Sequence, residues 1–405
     1  MTKGVGGSSA EAELAKLEGK FPPVPLIATD EYIRRVERAQ ALMREKGIAA
    51  LYLDTSKNLQ YFTGIQLTLS ERLHGAIIPA EGEITYICPN FEIPKTREMI
   101  SFGEEVRGWH EHEDPTRLVI DILRRKGIET GVVAIDPQTP FFIFNGLRTA
   151  ANAYDYVDGA VIVGACRIRK SEQELALMKQ ANRITYAVQK ATAAFLHEGI
   201  TTTEVMQFIR QAYTVCGAVL PTGSGIVLFG EATAFPHGVP YAQTLKQGDV
   251  VLVDISGTYG GYRSDNTRTY VFGEANERQR FIWNAEAKAQ QAGFDAAKPG
   301  ATFEEVDFAA RAVVEAAGFE KDYGVPGLPH RTGHGIGLDT HEYGYVVRGN
   351  TARIEPGNCF SIEPMITSYG EFGVRLEDCV YMAEDGAHWF SPPARDIDDP
   401  FAAEA

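Results

Sequence analysis

The sequence predicts an α+β protein of two domains, the second of which consists of two related halves. Up to about Arg167, short apolar runs alternate with helical periodicity, and a capped helix after Ser171 opens a new pattern. In that second part, GITTTEVMQFIRQAYTVCG from Gly199 resembles GATFEEVDFAARAVVEAAG from Gly300. The expected ranges are 1–28 for a tail or leader, 29–167 for an α/β domain and 168–405 for the two-halved domain.

The N-terminal part has helices and strands in alternation. The Gly/Ser-rich start MTKGVGGSSA is typical of a flexible tail. A first helix is expected over residues 30–46 with Gly47 as its stop, and a second over residues 115–126. Five apolar runs predict strands: IAALYLDT, GAIIPA, EITYIC, GVVAID and VIVGAC. The alternation favours an α/β domain that ends near residue 167.

The C-terminal part opens with a capping box, in which Ser171 and Glu174 satisfy each other's backbone donors at a helix start. The helix that follows is apolar at every third or fourth position up to a stop at Gly199. Each of the two similar segments has a Gly stop, a capped start and an amphipathic helix, about 100 positions apart. They predict two related halves; the alternative is chance similarity between two amphipathic helices.

Composition narrows the possible partners. A formal charge of -15 argues against nucleic acid and anionic lipid, since both require a basic surface. The chain has no run of 18 apolar residues and its start lacks a secretory profile, so we expect a cytoplasmic protein that acts on small molecules or peptides. The five cysteines are odd in number and lack C-x-x-C spacing, which favours buried thiols over disulfides or a thiolate metal site.

Two predicted hairpins each bring two acids together. If residues 258–261 form a four-residue loop, Asp254 and Asp265 lie directly opposite each other, with Cβ atoms about 5 Å apart. Counting outward from Gly370 likewise puts Glu363 opposite Glu377. Opposed acids in apolar strands are destabilising unless a cation lies between them. The alternative is that these acids lie on exposed faces of the hairpins.

The glycine-rich stretch RTGHGIGLDTHEYG adds two histidines to this set. Four carboxylates and the imidazole of His334 suit a pair of divalent ions such as Mn, Co, Fe or Zn. The glycines beside His334 let the backbone approach the acids. His341 remains outside the ligand set and is expected to contact substrate. The alternative for each histidine is a packed structural role.

These residues resemble the pita-bread metallopeptidases. The matching motifs are FPHGVP (235–240), VDIS and YRSDNTRT (253–269), HRTGHGIGLDTHE (330–342), FSIEP (360–364) and GVRLED (373–378). IRKSEQELALMKQA and NLQYFTG are similar to the branch of prolidase, aminopeptidase P and creatinase, and most of all to bacterial Xaa-Pro dipeptidases. The resemblance implies a C-terminal pita-bread domain with pseudo-two-fold halves, preceded by a creatinase-like α/β N-terminal domain.

The resemblance also implies a ligand set. Asp254 and Asp265 would hold one ion, His334 and Glu363 would help hold a second, and Asp265 and Glu377 would bridge them. Mn is the ion that the resemblance favours, with Co, Zn or Fe as alternatives, and a homodimer is implied. Creatinase lacks this ligand set, so an amidinohydrolase is disfavoured. The usual D-x-G and E-P-G-I-Y read Asp-Ile-Ser and Glu-Pro-Met-Ile-Thr here, which leaves the ligands in place and changes residues near the substrate.

The implied activity is metal-dependent hydrolysis of Xaa-Pro bonds, foremost in dipeptides. Glu363 would accept a proton from water, His237 would protonate the leaving nitrogen, and His341 would stabilise the carbonyl oxygen. Two arginines are candidates for the substrate side of the site: Arg348 as a carboxylate clamp and Arg375 as the group that orients Glu377. The alternatives are an aminopeptidase P that acts on longer peptides, a lyase or phosphotriester hydrolase on the same scaffold, and a non-catalytic peptide-binding module.

Overall fold

The computed structural model describes residues 2–401, which divide into two compact units. One unit joins the chain up to Leu26 to the chain from Ile168 onward, and the other is Ile27–Arg167. Among the described residues, no helix combines the length and the apolar character that a membrane crossing requires. All five cysteines are buried free thiols, as expected.

The secondary structure comprises helices α1–α11 and strands β1–β18. The helices are Ala10–Leu17 (α1), Thr29–Lys46 (α2), Lys57–Thr63 (α3), Ile93–Met99 (α4), Pro115–Arg125 (α5), Phe141–Ala150 (α6), Ala160–Arg167 (α7), Glu172–Phe195 (α8), Thr202–Val215 (α9), Glu277–Ala296 (α10) and Phe303–Ala316 (α11). Short 3₁₀ turns span Asn90–Glu92 and Gly230–Ala234. The strands are Ile48–Leu53 (β1), Gly75–Pro79 (β2), Thr85–Pro89 (β3), Glu105–Trp109 (β4), Gly131–Ile135 (β5), Tyr154–Asp158 (β6), Gly225–Phe229 (β7), Val250–Ile255 (β8), Thr258–Tyr259 (β9), Tyr262–Arg263 (β10), Asn266–Val271 (β11), Gly333–Gly335 (β12), Glu342–Val346 (β13), Cys359–Ile362 (β14), Met365–Ser368 (β15), Phe372–Arg375 (β16), Glu377–Ala383 (β17) and Gly386–Trp389 (β18).

The unit Ile27–Arg167 is the predicted α/β domain. Its six strands lie in the order β4-β3-β2-β1-β5-β6, with β3–β4, β1–β5 and β5–β6 parallel and the other two pairs antiparallel. Helix α2 ends at Gly47, whose left-handed backbone (φ 67°) closes the last turn. The apolar runs at β1, β2, β3 and β5 form strands as predicted, and their buried side chains pack under helices α5 and α6.

The run VIVGAC was expected to be a strand, and that expectation is wrong. It lies in helix α7, whose buried residues Ile162, Val163 and Cys166 recur at helical spacing. The Asp158 carboxylate accepts a hydrogen bond from the backbone N–H of Ala160 and so caps the helix start. Burial of one helical face therefore outweighs the β propensity of Val and Ile.

The start of the chain differs from the tail that we expected at residues 1–28. Ser9 caps helix α1 by accepting a hydrogen bond from Ala12 N–H, and Leu17 on that helix is buried. Val5 and Leu17 belong to the same apolar core as residues of α8 and α9. The Gly/Ser-rich composition of the first ten residues suggested a flexible tail, but a short capped helix follows directly and packs within the C-terminal unit.

The C-terminal unit has the two related halves that the repeat predicted. Its main sheet has the strand order β13-β12-β14-β17-β11-β8-β7. An eighth strand, β18, pairs with β17 and does not belong to this linear order. Strands β7, β8 and β11 follow helices α8 and α9, while β12, β14 and β17 follow α10 and α11. Thr201 and Thr302 form matching capping boxes at the starts of α9 and α11. The fold is thus the expected α+β arrangement with pseudo-two-fold halves.

The halves meet at the first residues of β11 and β17. The pairs Asn266–Asp378 and Thr267–Glu377 join the two strands. This junction lies next to acids from both halves, and it fixes where a shared site can form.

Candidate metal centre

The five predicted metal ligands all lie at the junction of the two halves. Asp254 is in β8, Asp265 directly precedes β11, His334 is in β12, Glu363 follows β14 and Glu377 begins β17. All five line one cavity of about 550 Å³. The structure therefore brings together every residue of the predicted ligand set.

The register of the first acidic hairpin differs from the expectation. Asp254 pairs with Thr267 rather than with Asp265, because the loop between β9 and β10 consists of Gly260 and Gly261 alone. Both glycines have positive φ (57° and 89°), the backbone that a two-residue hairpin turn requires. The shift of two positions keeps Asp254 and Asp265 on the same face, as diagonal rather than direct neighbours.

The register of the second acidic hairpin is the predicted one. Ile362 pairs with Asp378 in the main sheet, and Met365 pairs with Arg375 in the β15–β16 hairpin. Both pairs have the register that places Glu363 opposite Glu377.

The imidazole of His334 lies at the centre of the cluster. Its Nε2 atom is 3.0 Å from Glu363 Oε1, 3.6 Å from Asp265 Oδ2 and 4.0 Å from Glu377 Oε1. Its Nδ1 atom lies 3.1 Å from the carbonyl oxygen of Gly335, which can only accept a hydrogen bond. Nδ1–H therefore donates to this carbonyl, and Nε2 faces the acids, where it would bind a cation.

The side chains of Asp265, His334 and Glu377 fit a divalent cation. One ligand atom from each of them lies within 4.8 Å of the others, and all three residues are buried. Glu377 Oε2 accepts a hydrogen bond from the Thr267 hydroxyl at 2.6 Å, whereas the buried Oε1 has no hydrogen-bond partner among residues 2–401. An unsatisfied carboxylate oxygen beside an imidazole nitrogen is the donor set that Mn, Fe, Co and Zn prefer.

The acids of the cluster differ in charge. Burial, with the nearby Asp254 carboxylate, raises the pKa of Asp265 to about 8. Burial and Asp265 raise the pKa of Glu377, and burial raises the pKa of Asp254 against the opposing charge of Arg375. For Glu363, burial is outweighed by His334 and other cations, which lower its pKa to about 2. Glu363 is thus the acid of the set that stays ionised most readily.

The two histidines predicted to act on substrate line the same cavity. The ring of His341 packs edge to face with that of His334, with centroids 4.1 Å apart. Burial, followed by the neighbouring His334, lowers the pKa of His341 to about 4, so its imidazole is neutral near pH 7. His237 lines the cavity next to Pro236.

The two predicted arginines have different surroundings. Arg375 lines the cavity and forms an ion pair with Asp254, with Nη2 2.5 Å from Oδ2. Its Nε atom donates to the Thr267 hydroxyl, which in turn donates to Glu377. Arg375 therefore holds Asp254 directly and Glu377 through Thr267.

Arg348, the predicted carboxylate clamp, does not line this cavity. It lies on the surface and pairs with Asp322. Besides Arg375, the cavity wall carries a second arginine, Arg331, accompanied by His330. Arg331 and His330 both belong to the HRTGHGIGLDTHE motif, which was the signal in the sequence for them, although only His334 and His341 of this motif were predicted to be site residues.

The fold and this cluster define the protein as a metallohydrolase with an α+β catalytic unit. It belongs to metallopeptidase family M24, whose sequence model matches residues 176–384. The Creatinase/Prolidase N-terminal domain matches residues 35–169. The family assignment confirms the resemblance stated from the motifs.

Relatives match the chain over nearly its full length. A putative dipeptidase, YkvY, from Bacillus subtilis is 33% identical over 357 residues, which cover 88% of this chain and 96% of the relative. The structure of dipeptidase PepE from Mycobacterium ulcerans has a TM-score of 0.84 at 34% identity, over 93% of this chain and 99% of that one. A prolidase from Thermococcus sibiricus has a TM-score of 0.83 at 29% identity, over 91% and 99%.

Proposed function

We propose that this protein is a dinuclear metal-dependent Xaa-Pro dipeptidase, that is, a prolidase. The observation that carries the proposal is the buried cluster of Asp265, His334 and Glu377, with Asp254 and Glu363 on the same cavity wall. The similarity to the prolidase from Thermococcus sibiricus supports the substrate class.

The donor set divides between two ions. Asp254 and Asp265 would hold the first ion, while His334 and Glu363 would help hold the second. Asp265 and Glu377 would bridge them, which gives the orphan oxygen of Glu377 a partner. Arg375 compensates the charge of Asp254 and keeps its carboxylate oriented toward the cavity.

Bound divalent ions would lower the pKa of water toward neutrality and polarise the scissile carbonyl. Glu363, whose Oε1 lies 3.0 Å from His334 Nε2 at the cavity wall, would accept the proton that water loses. Neutral His341 would donate an N–H to the carbonyl oxygen as negative charge develops there. The nitrogen of an Xaa-Pro bond leaves poorly unless it is protonated, and His237 is the proposed donor.

Recognition of the substrate carboxylate needs a cation at the cavity wall. Because Arg348 pairs with Asp322 on the surface, we assign this role to Arg331, a partly buried residue of the wall. The aromatic ring of Tyr345 packs under its guanidinium at 4.3 Å and limits its motion. A guanidinium held in this way suits bidentate binding of a carboxylate.

Several finer features complete the proposal. Mn is the proposed ion, with Co, Zn or Fe as substitutes, on the grounds of the family resemblance. The partner is a small peptide rather than nucleic acid or membrane, given the charge of -15. The family resemblance supports a homodimer as the proposed oligomeric state. The composition of the chain supports the cytoplasm as its proposed location.

An aminopeptidase P that trims longer peptides is the second candidate. A neighbouring cavity of about 490 Å³ shares Gly225, Ile226 and His237 with the metal-site cavity. The shared wall offers room for residues that follow the proline. A non-catalytic binding module is disfavoured because such members would be expected to lose ligands, and all five are present.

The deciding experiment compares kcat/KM for Ala-Pro, Ala-Pro-Ala-Ala and Ala-Ala, using protein loaded with Mn. We expect Ala-Pro to be the best substrate and Asp265→Asn, measured in parallel, to lose both turnover and metal. Preference for the tetrapeptide would favour aminopeptidase P. Absence of hydrolysis in a sample that carries two ions per chain by elemental analysis would refute the peptidase assignment.

A further inference from the structure

A second cavity of about 510 Å³ lies in the C-terminal unit and shares no residue with the metal-site cavity. Helix α1, helix α8 and the chain after β18 form its walls. Its interior is mainly apolar, lined by Leu17, Phe21, Ala187, Ala191, Phe390 and Phe401. A cavity of this size and character is typical of a small-molecule site.

The rim of this cavity is strongly basic. It carries Lys16, Lys20, Arg183 and Lys190, against the single carboxylate of Glu13, so four positive and one negative side chain leave a net charge of +3. Glu13 pairs with Lys16 at 2.5 Å. Within the described chain, no carboxylate forms an ion pair with the other three cations. A basic rim stands out in a protein of net charge -15 and creates a local potential that attracts anions.

The cavity is built largely from parts that lie outside the matched family ranges. The family models cover residues 35–169 and 176–384. The α1 wall and the wall formed by residues 390–401 fall outside both ranges, and the α8 wall alone falls inside. The cavity is therefore separate from the catalytic machinery that defines the family.

We propose that this cavity binds an amphipathic carboxylate, that is, a small molecule with an apolar chain and one anionic head. Burial of the chain against the phenylalanines and alanines would supply most of the affinity. Arg183 and Lys190, which lie about two turns apart on the same face of α8, would pair with the head at the rim. This site does not depend on the peptidase assignment, and its ligand need not be a substrate.

The test is calorimetric titration of the full-length, Mn-loaded protein with sodium decanoate. Decyltrimethylammonium and 1-decanol, which share the chain but not the negative head, serve as ligand controls, and decyl phosphate tests whether another anionic head is accepted. We expect decanoate to bind about fivefold more tightly than either non-anionic probe, which is the upper end of what one exposed charge pair supplies.

Four variants locate the bound probe. Arg183→Glu and Lys190→Glu should each raise the Kd of decanoate at least about fivefold, because each reverses a rim charge. Lys298→Glu, a charge reversal at an exposed residue after α10 that is not part of the cavity wall, should leave the Kd unchanged. Ala187→Leu fills part of the apolar floor and should weaken decanoate and decanol alike. Thermal unfolding of each variant confirms that it is folded.

Three outcomes would overturn the proposal. One is equal affinity for decanoate and decyltrimethylammonium. Another is a decanoate Kd that Arg183→Glu and Lys190→Glu leave unchanged, as Lys298→Glu is expected to do, since binding would then take place elsewhere, such as at the metal centre. The third is binding only by a chain shortened to end at Phe401, which would show that the chain as far as Ala405 does not offer the cavity to an external ligand.

Discussion

His341 shows how one residue acquires its proposed role from its surroundings. Burial and the adjacent His334 hold its pKa near 4, so the ring carries no charge at neutral pH. A neutral imidazole can donate one hydrogen bond without repelling a nearby cation. Because its ring packs edge to face against the ring of His334, this donor lies next to the predicted metal ligands without being one of them.

Replacement of His341 by Ala should lower kcat about 100-fold or more, the usual cost of a lost donor to a developing oxyanion. Both ions should remain bound, because the ligand set is intact. Stopped assays on Ala-Pro and elemental analysis measure the two quantities. His388→Ala, at an exposed histidine that pairs with Asp385, is the matched control and should change neither. Near-normal kcat in His341→Ala would remove this residue from the mechanism.

At single positions, the sequence identified the ligands because acids within apolar strands need an explanation. It could not assign Arg375 to Asp254, since that pair joins residues 121 positions apart. It also placed the carboxylate clamp at Arg348, whose ion pair with Asp322 depends on how two loops pack. Contacts of this kind follow from tertiary structure and leave no local pattern.

Most element boundaries were predicted where a capping residue or a glycine marks them, although α8, expected to continue to a stop at Gly199, ends at Phe195. Helix α2 was placed within one residue, and the capping boxes of α8, α9 and α11 are present. The register of the first acidic hairpin was missed by two positions, because Gly260 and Gly261 alone form the turn. The Gly-Gly pair was a visible signal for a two-residue turn, and a longer loop was chosen instead.

The glycines around His334 are explained by close approach of strands. A Cβ added at Gly335 would lie 1.8 Å from the carbonyl oxygen of Tyr343 in β13. One added at Gly333 would lie 2.0 Å from the carbonyl oxygen of Ser361, just before the ligand Glu363. The absence of side chains here lets β12 pack between its two neighbours and holds His334 against the acids.

We therefore expect Gly335→Ala to separate β12 from β13 and move His334. The free energy of unfolding should fall by more than about 2 kcal/mol, and the affinity for Mn should fall at least about tenfold. Urea unfolding and metal titration measure these changes. Gly349→Ala is the control, because it has a positive φ of 87° with open space around it and should cost only about 1 kcal/mol of backbone strain. Unchanged Mn affinity in a folded Gly335→Ala protein would contradict the close-approach explanation.

At the scale of the whole molecule, the candidate metal centre draws its residues from both halves of the C-terminal unit. Asp254 and Asp265 come from the first half, and His334, Glu363 and Glu377 come from the second. The two strands at the junction share only the pairs Asn266–Asp378 and Thr267–Glu377. A bound cation would therefore strengthen a junction that has few backbone hydrogen bonds, and its effect on stability should be confined to the C-terminal unit.

Removal of the metal should lower the stability of that unit by about 4 kcal/mol when the reference sample holds free ion at about 1,000 times its Kd. At a fixed concentration of ion, this loss of stability should grow as pH rises from about 6 to about 8. In the metal-free folded state, the pKa of Asp265 is about 8, above its ordinary value, so the proton that stabilises this state is lost over this pH range. Amide hydrogen exchange in β11, β12 and β17 should be faster in the chelated protein than in the Mn-loaded protein. Exchange in Ile27–Arg167 should be the same in both samples, so this unit serves as the internal control. Equal loss of protection in both units, or a loss that shrinks as pH rises, would show that the carboxylates are not held together by the cation.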